Sequence, residues 1–144
     1  MRRIGITGGI GSGKSVVSRL LRIMGYSVYD TDSEAKRLME SSLEVVQKLS
    51  ECFGRDIYHN GRLNRGLLSS RVFGESDKIV LLNSIVHPVV RFDFYRWSES
   101  LNEEICFVES AILYESRFDE LVDEVWTVTA PEELRICLLY TSDA

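Results

Sequence analysis

Residues 4–17 read IGITGGIGSGKSVV, and this stretch decides the fold. It holds five glycines and a lysine between two apolar runs. Glycine weakens strand and helix interiors by roughly 0.5–1 kcal/mol relative to alanine, so five together mark a loop that works through its backbone. Residues 8–15 fit G-x-x-x-x-G-K-[ST] at every fixed position. Ile4 and Ile6 precede the loop as a short buried strand, and Val17, Leu20, Leu21 and Met24 follow at the i, i+3, i+4, i+7 spacing of a helix. A strand, a glycine loop and a helix N-terminus in that order cradle a phosphate with backbone N–H groups. The nucleotide-binding residues are therefore Gly9, Ile10, Gly11, Ser12, Gly13, Lys14, Ser15 and Val16. Lys14 is placed to reach the β- and γ-phosphates of a bound nucleotide and Ser15 to hold Mg²⁺.

Chance alone produces this pattern in about 1 in 200 chains of this length at ordinary glycine usage. A dinucleotide fingerprint fails, because from Gly9 or Gly11 the last glycine of G-x-G-x-x-G is missing. The 144 residues suffice for one domain with a hydrophobic core. A net charge of −5 argues against nucleic acid as a partner. Cys52, Cys106 and Cys137 are odd in number and lack metal-site spacing, which suggests buried, reduced thiols. No apolar run is long enough to span a bilayer, and glycines interrupt the segment that a leader beginning at Arg2 and Arg3 would need. The expected location is the cytoplasm, with no membrane association and no obligate protein partner implied.

Beyond the loop, Gly25 is placed to end the first helix, and residues 26–30 read as a second strand. Asp32 or Ser33 is expected to cap the next helix. Val46, Leu49 and Phe53 mark another helix, stopped by Gly54. Asn60-Gly61 signals a two-residue hairpin. Residues 64–101 read as three helices, with Pro88 as a break. Residues 105–109 and 124–128 read as strands, and a helix is expected near Pro131. This order implies a parallel sheet covered on both faces. Trp97 and Trp126 read as core residues.

The chain lacks the N-K-x-D and D-x-x-G of a GTP switch. A kinase of small molecules needs a carboxylate near the loop. Asp30 and Asp32, at the end of the second strand, supply one, although Asp32 also reads as a plain helix cap. TGGIGSGKS, YDTDSEAKRLM, GRLNRGLLSSRVF, LNSIVHPVV and VESAILYES, in that order, resemble the dephospho-coenzyme A kinase family. The resemblance implies an α/β, three-layer P-loop kinase fold. The single domain would have its core in residues 1–55 and 103–136 and a helical acceptor-binding insertion at about 60–101. It implies transfer of the γ-phosphoryl group of ATP to the ribose 3′-hydroxyl of dephospho-coenzyme A. Asp32 and Lys14 would be catalytic, Asp32, Arg65 and His87 would hold the acceptor, and Ser15, Asp32 and Glu109 would hold Mg²⁺. Arg62 and Arg71 are candidates for a basic face beside Arg65, and His59 is expected to be exposed. His87 reads equally as a structural residue held extended before Pro88.

The resemblance is expected to stop after PEELRI, and residues 137–144, CLLYTSDA, read as an atypical tail. The C-terminal part, with the arginine-rich lid and a last strand, is expected to be missing. That would leave an exposed apolar edge near Val125–Val128, a chain prone to associate, and weak activity.

Overall fold

The computed structural model describes residues 1–9 and 11–129. In chain order its elements are β1 (Arg2–Thr7), α1 (Lys14–Ile23), β2 (Ser27–Asp30), α2 (Thr31–Ser41), α3 (Leu43–Phe53), β3 (Tyr58–His59), β4 (Arg62–Leu63), α4 (Arg65–Val72), α5 (Ser76–Ser100), β5 (Ile105–Glu109) and β6 (Glu124–Thr127). They divide into two compact units, Met1–Thr31 with Phe94–Ala144, and Asp32–Asp93.

The first unit is built on a sheet of order β2-β5-β1-β6 in which every pairing is parallel, as expected. A parallel sheet must bury both faces, and the two side-chain parities of β1 show how. Ile4 and Ile6 join Leu21 and Phe107, with Val17 and Val28 packed against them, so α1 covers one face. Gly5 looks the other way. A Cβ there would lie 2.6 Å from Leu113 Cδ1, so a larger residue would have to displace the buried Leu113 side chain from this face. On this second face Phe94 stacks on Tyr29 and Phe118, with centroids 5.3 and 5.7 Å apart. Arg3 donates to Ser98 Oγ at 2.8 Å, pairs with Glu99, and lies 4.8 Å from the Tyr95 ring centre. The layers are thus α1, the sheet, and the C-terminal part of α5.

Several expectations about which residues face inward change. On α1 the buried stripe is Val17, Ser18 and Leu21, whereas Leu20 and Met24 are 54% and 69% exposed. A helix on one sheet face buries only the narrow arc that touches it. Trp97 is half-buried against Tyr29, at 5.4 Å. Trp126 is not core: it is exposed, rests on Phe107 at 5.3 Å, and donates to Glu124. Cys106 is buried, which pushes its thiol up to about 11, but Cys52 is exposed. β6 is the outer strand among the described residues, and Val128 extends its pairing through a bond to Thr7 O at 2.8 Å. The helix expected near Pro131, the tail of residues 137–144 and Cys137 lie outside the described residues.

In the second unit, Val45, Leu49 and Phe53 form the inward stripe of α3, one residue off the expected Val46. Gly54 ends the helix at φ 105°. Asn60 (φ 51°) and Gly61 (φ 78°) make the expected turn between β3 and β4, with His59 exposed beside it. The expected helix cap at Asp32 or Ser33 is overturned: α2 starts at Thr31, so both lie inside its first turn.

The largest correction is at Pro88. Two helices, α4 and α5, replace the expected three, and α5 runs 25 residues straight through Pro88. Proline removes one N–H and crowds the carbonyl four residues back, here Ser84. Burial outweighs that local penalty, since Ile85, Val86, Val90 and Phe94 on either side are nearly inaccessible while Pro88 itself is exposed. His87 is therefore helical, not extended. Because Pro88 contributes no buried packing, Pro88→Ala is expected to stabilise the protein by about 1–2 kcal/mol, the helical penalty less the greater entropy of the unfolded chain. Urea denaturation of the two proteins measures this.

Candidate nucleotide and acceptor sites

The glycine loop leaves the carboxyl end of β1 and enters α1 at Lys14. Gly8 is forced by close approach: a Cβ would lie 2.4 Å from Ser12 Oγ and 2.7 Å from Val128 O. Gly11 and Gly13 hold φ of 73° and 93°, values that other residues rarely adopt. Ser12 N donates to Gly9 O at 3.1 Å, and Gly13 O accepts from Val16 N and Val17 N. The first turn of α1 carries no acidic residue of its own to offset its partial positive charge. Nothing lies within 4 Å of a Cβ built on Gly9, which leaves open space there. Lys14 is half-buried and forms no ion pair among the described residues. Ser12 Oγ is buried without a hydrogen-bond partner. Val16 lies on the exposed side of α1 at 44%. Ile10 lies outside the described residues.

Glu109 ends β5 beside β1, in register with Ile6 on one side and Asp30 on the other. In-register residues of neighbouring strands share a face, and this face carries α1. Ser15 Oγ accordingly donates to Glu109 Oε1 at 3.5 Å, and Glu109 is only 8% exposed. Thr31 Oγ1, which the sequence did not single out, donates to Glu109 O at 2.8 Å and ties the end of β2 to β5. Neighbouring carboxyls of like charge favour a cation between them. Among the described residues no group of three or more His, Cys, Asp or Glu converges as a metal cage. A hydroxyl with one or two carboxylates suits Mg²⁺, which keeps several waters and takes its other ligands from phosphates. Ser15 and Glu109 therefore fit Mg²⁺.

The second unit contains a groove of about 390 Å³. One face of α2, from Asp32 to Met39, forms one wall, and the face of α4 from Arg65 to Val72 forms the other, with Leu63 and Leu82 closing it. Asp32 and Arg65 are thus brought to one groove. Arg65 Nη2 reaches back to Lys36 O at 3.3 Å and lies 3.7 Å from Glu40. His87 is not among the lining residues. Arg71 does not offer a free basic face: it is held by both oxygens of Asp56 at 2.6 Å and by Phe53 O. That bond keeps the Asp56 carboxyl below its usual range. Arg62 lies exposed in the hairpin. The sequence reading missed Met39, Leu68, Val72 and Leu82, although the repeated i, i+3, i+4, i+7 spacing on α2 and α4 carries a signal for them.

Burial, and then the Arg91 charge, pushes the His87 imidazole below its ordinary value of 6.5. The unfolded chain therefore binds the proton more readily than the folded one. The resulting stability is complete above pH 6.5 and is lost as pH falls through the lower folded value. Between pH 7 and pH 5 the wild type is expected to lose stability relative to His87→Gln. Urea midpoints across that range check this, and parallel curves would contradict it.

The model of the dephospho-CoA kinase family matches residues 2–143, so the match does not stop after PEELRI as expected. A dephospho-CoA kinase from Porphyromonas gingivalis is 48% identical over 135 residues, covering 94% of this chain and 67% of that protein. One from Bacteroides fragilis is 43% identical and covers 93% and 66%. The chain thus spans about two thirds of the length of these relatives. A Thermus thermophilus crystal structure superposes with a TM-score of 0.81 at 34% identity, covering 99% of this chain and 72% of that one. A dephospho-CoA kinase from Campylobacter jejuni shares the fold, with a TM-score of 0.62 at 16% identity. On the family match and the identity to these relatives, the chain belongs to the dephospho-CoA kinase family.

Proposed function

We propose that the protein transfers the γ-phosphoryl group of ATP to the ribose 3′-hydroxyl of dephospho-coenzyme A, the last step of coenzyme A synthesis. The observation that carries this is the open glycine loop with Lys14 at its exit and Ser15 bonded to Glu109, in a chain of this family.

The loop amides and the start of α1 bind the β- and γ-phosphates of ATP. Lys14, with no carboxylate claiming its charge, neutralises negative charge as the phosphoryl group moves. Ser15 and Glu109 would hold Mg²⁺, which when bound would supply charge neutralisation and orientation at the phosphates. Asp32 accepts or orients the proton of the attacking hydroxyl. Arg65 lies in the same groove as Asp32 and faces the anionic acceptor. His87 is assigned to the packing of α5. Among the described residues no helix is long and apolar enough to cross a membrane, and we take the site of action to be the cytoplasm.

ADP release dependent on dephospho-coenzyme A tests this reading, and release with another hydroxyl acceptor but not this one would overturn it. Lys14→Ala is expected to lower turnover by about 10²–10³, the loss typical of one preorganised donor, with the fold retained by circular dichroism. Asp32→Asn is expected to lower turnover by roughly 10²–10⁴ while ATP affinity stays near normal; unchanged turnover would move the proton acceptor elsewhere, first to Asp30. Glu109→Gln is expected to raise the Mg²⁺ concentration for half-maximal rate by about 10–100-fold. An unshifted Mg²⁺ titration would remove Glu109 from the metal site.

A further inference from the structure

The two ends of α2 are held differently. At its C-terminal end the hairpin grips it: Tyr58 Oη donates to Met39 O at 2.6 Å, and Leu63 N donates to Glu40 Oε1 at 3.2 Å. Asp32 stands at the other end, in the first turn, about 10 Å from Met39 at 1.5 Å per residue. Near that end Arg37 makes a forked contact. Its Nε donates to Glu34 Oε2 at 2.6 Å, within the helix, and its Nη2 donates to Asp93 Oδ2 at 2.7 Å, on α5. We propose that Arg37, through Asp93, is a positioning residue for the reaction: it fixes the first turn of α2 against α5 and so the direction from which Asp32 meets the acceptor hydroxyl. This rests on the proton-accepting role proposed for Asp32 above.

The helical repeat separates two tasks. At 3.6 residues per turn, Asp32, Ala35, Lys36 and Met39 share the face that lines the groove. Glu34 and Arg37 fall on the opposite side of the helix. An acceptor in the groove bears on one side of α2, and the contact to α5 holds the other. Glu34 belongs to the same first turn as Asp32, so Arg37 grips the turn itself. The N–H groups of a first turn have no partners inside the helix, and a turn so placed shifts easily unless something outside the helix holds it.

The contact matters for its geometry more than for its strength. The Arg37 and Asp93 side chains are 51% and 30% exposed, and ion pairs in such places contribute little to stability. A guanidinium, however, aims two N–H groups in one plane at two carboxylates, whereas a lysine ammonium is a point charge on a flexible stem. The fork therefore sets an angle between the first turn of α2 and α5. Catalysis is sensitive to such an angle. A proton acceptor must stand within about 2.6–3.2 Å of the hydroxyl, and a displacement of about 1 Å can lower the rate about 10²-fold.

Steady-state kinetics with ATP, Mg²⁺ and dephospho-coenzyme A tests the proposal, with circular dichroism establishing that each variant folds. Arg37→Met keeps the aliphatic stem, and Asp93→Ala removes the partner from the α5 side, so that either variant alone carries the test if the other fails to fold. Each is expected to lower kcat about tenfold and to leave KM for ATP and for dephospho-coenzyme A near wild-type values. Added to Asp32→Asn, Arg37→Met is expected to lower kcat no further, because its effect passes through the Asp32 carboxylate. Lys48→Met, which removes the comparably exposed pair of Lys48 and Glu44 on α3, is expected to keep wild-type kcat. Wild-type kcat in the folded variants, or a further tenfold loss on top of Asp32→Asn, would overturn the proposal while leaving the transfer reaction standing. So would a raised KM for dephospho-coenzyme A at unchanged kcat, or an equal loss of kcat in Lys48→Met. A wild-type protein that transfers nothing to dephospho-coenzyme A would overturn both.

Discussion

The close approach at the carboxyl end of β1 is the constraint on which the first unit depends. The chain must leave a central strand, expose a row of amides, and start α1 within six residues. Gly8 lies against Ser12 Oγ and Val128 O where no Cβ fits, and Gly11 and Gly13 take left-handed backbone that a side chain would oppose. The same parity that buries Ile4 and Ile6 beneath α1 places Glu109 and Asp30 on that side of the sheet. Burial of the strand thus also delivers a carboxylate to Ser15. Stability and phosphate chemistry share one geometry, and the glycines give up local stability to obtain it.

The second unit solves a different problem. Two helix faces are held apart, so that apolar side chains which would otherwise close on one another line a groove. The hairpin does this through bonds from Tyr58 and Leu63 to the end of α2 and through the Asn64 cap of α4. The paired Arg71 and Asp56 fasten α4 to the segment after α3. Asp56 is exposed and Arg71 only half-buried, so the direct contribution of the pair to stability is small; the bond from Arg71 to Phe53 O also satisfies a carbonyl at the end of α3.

Much of this was legible in the sequence where local rules and tertiary structure agree. The loop, the parallel strands and the Asn60-Gly61 turn are of that kind, since motif, parity and backbone preference point the same way. Pro88 was misread because its local penalty is real, yet burial on both sides of it outweighs a missing N–H. The inward face of α1 was misread because Leu20 and Met24 fit a helical stripe as well as Val17 and Leu21 do, and only the sheet decides between them. Arg71 looked like an acceptor contact because nothing in the sequence reveals Asp56 as its partner. The groove was hidden for the same reason: the faces of α2 and α4 are each visible as spacings, but their pairing is a tertiary fact.

The most direct measurement is the position of the phosphate in the product. Incubation with ATP, Mg²⁺ and dephospho-coenzyme A, followed by phosphorus NMR, is expected to show one new phosphomonoester on the ribose 3′ carbon, with an equal amount of ADP. Transfer to water or to a hydroxyl of the pantetheine arm would contradict the account, because Asp32 would not then be serving the ribose.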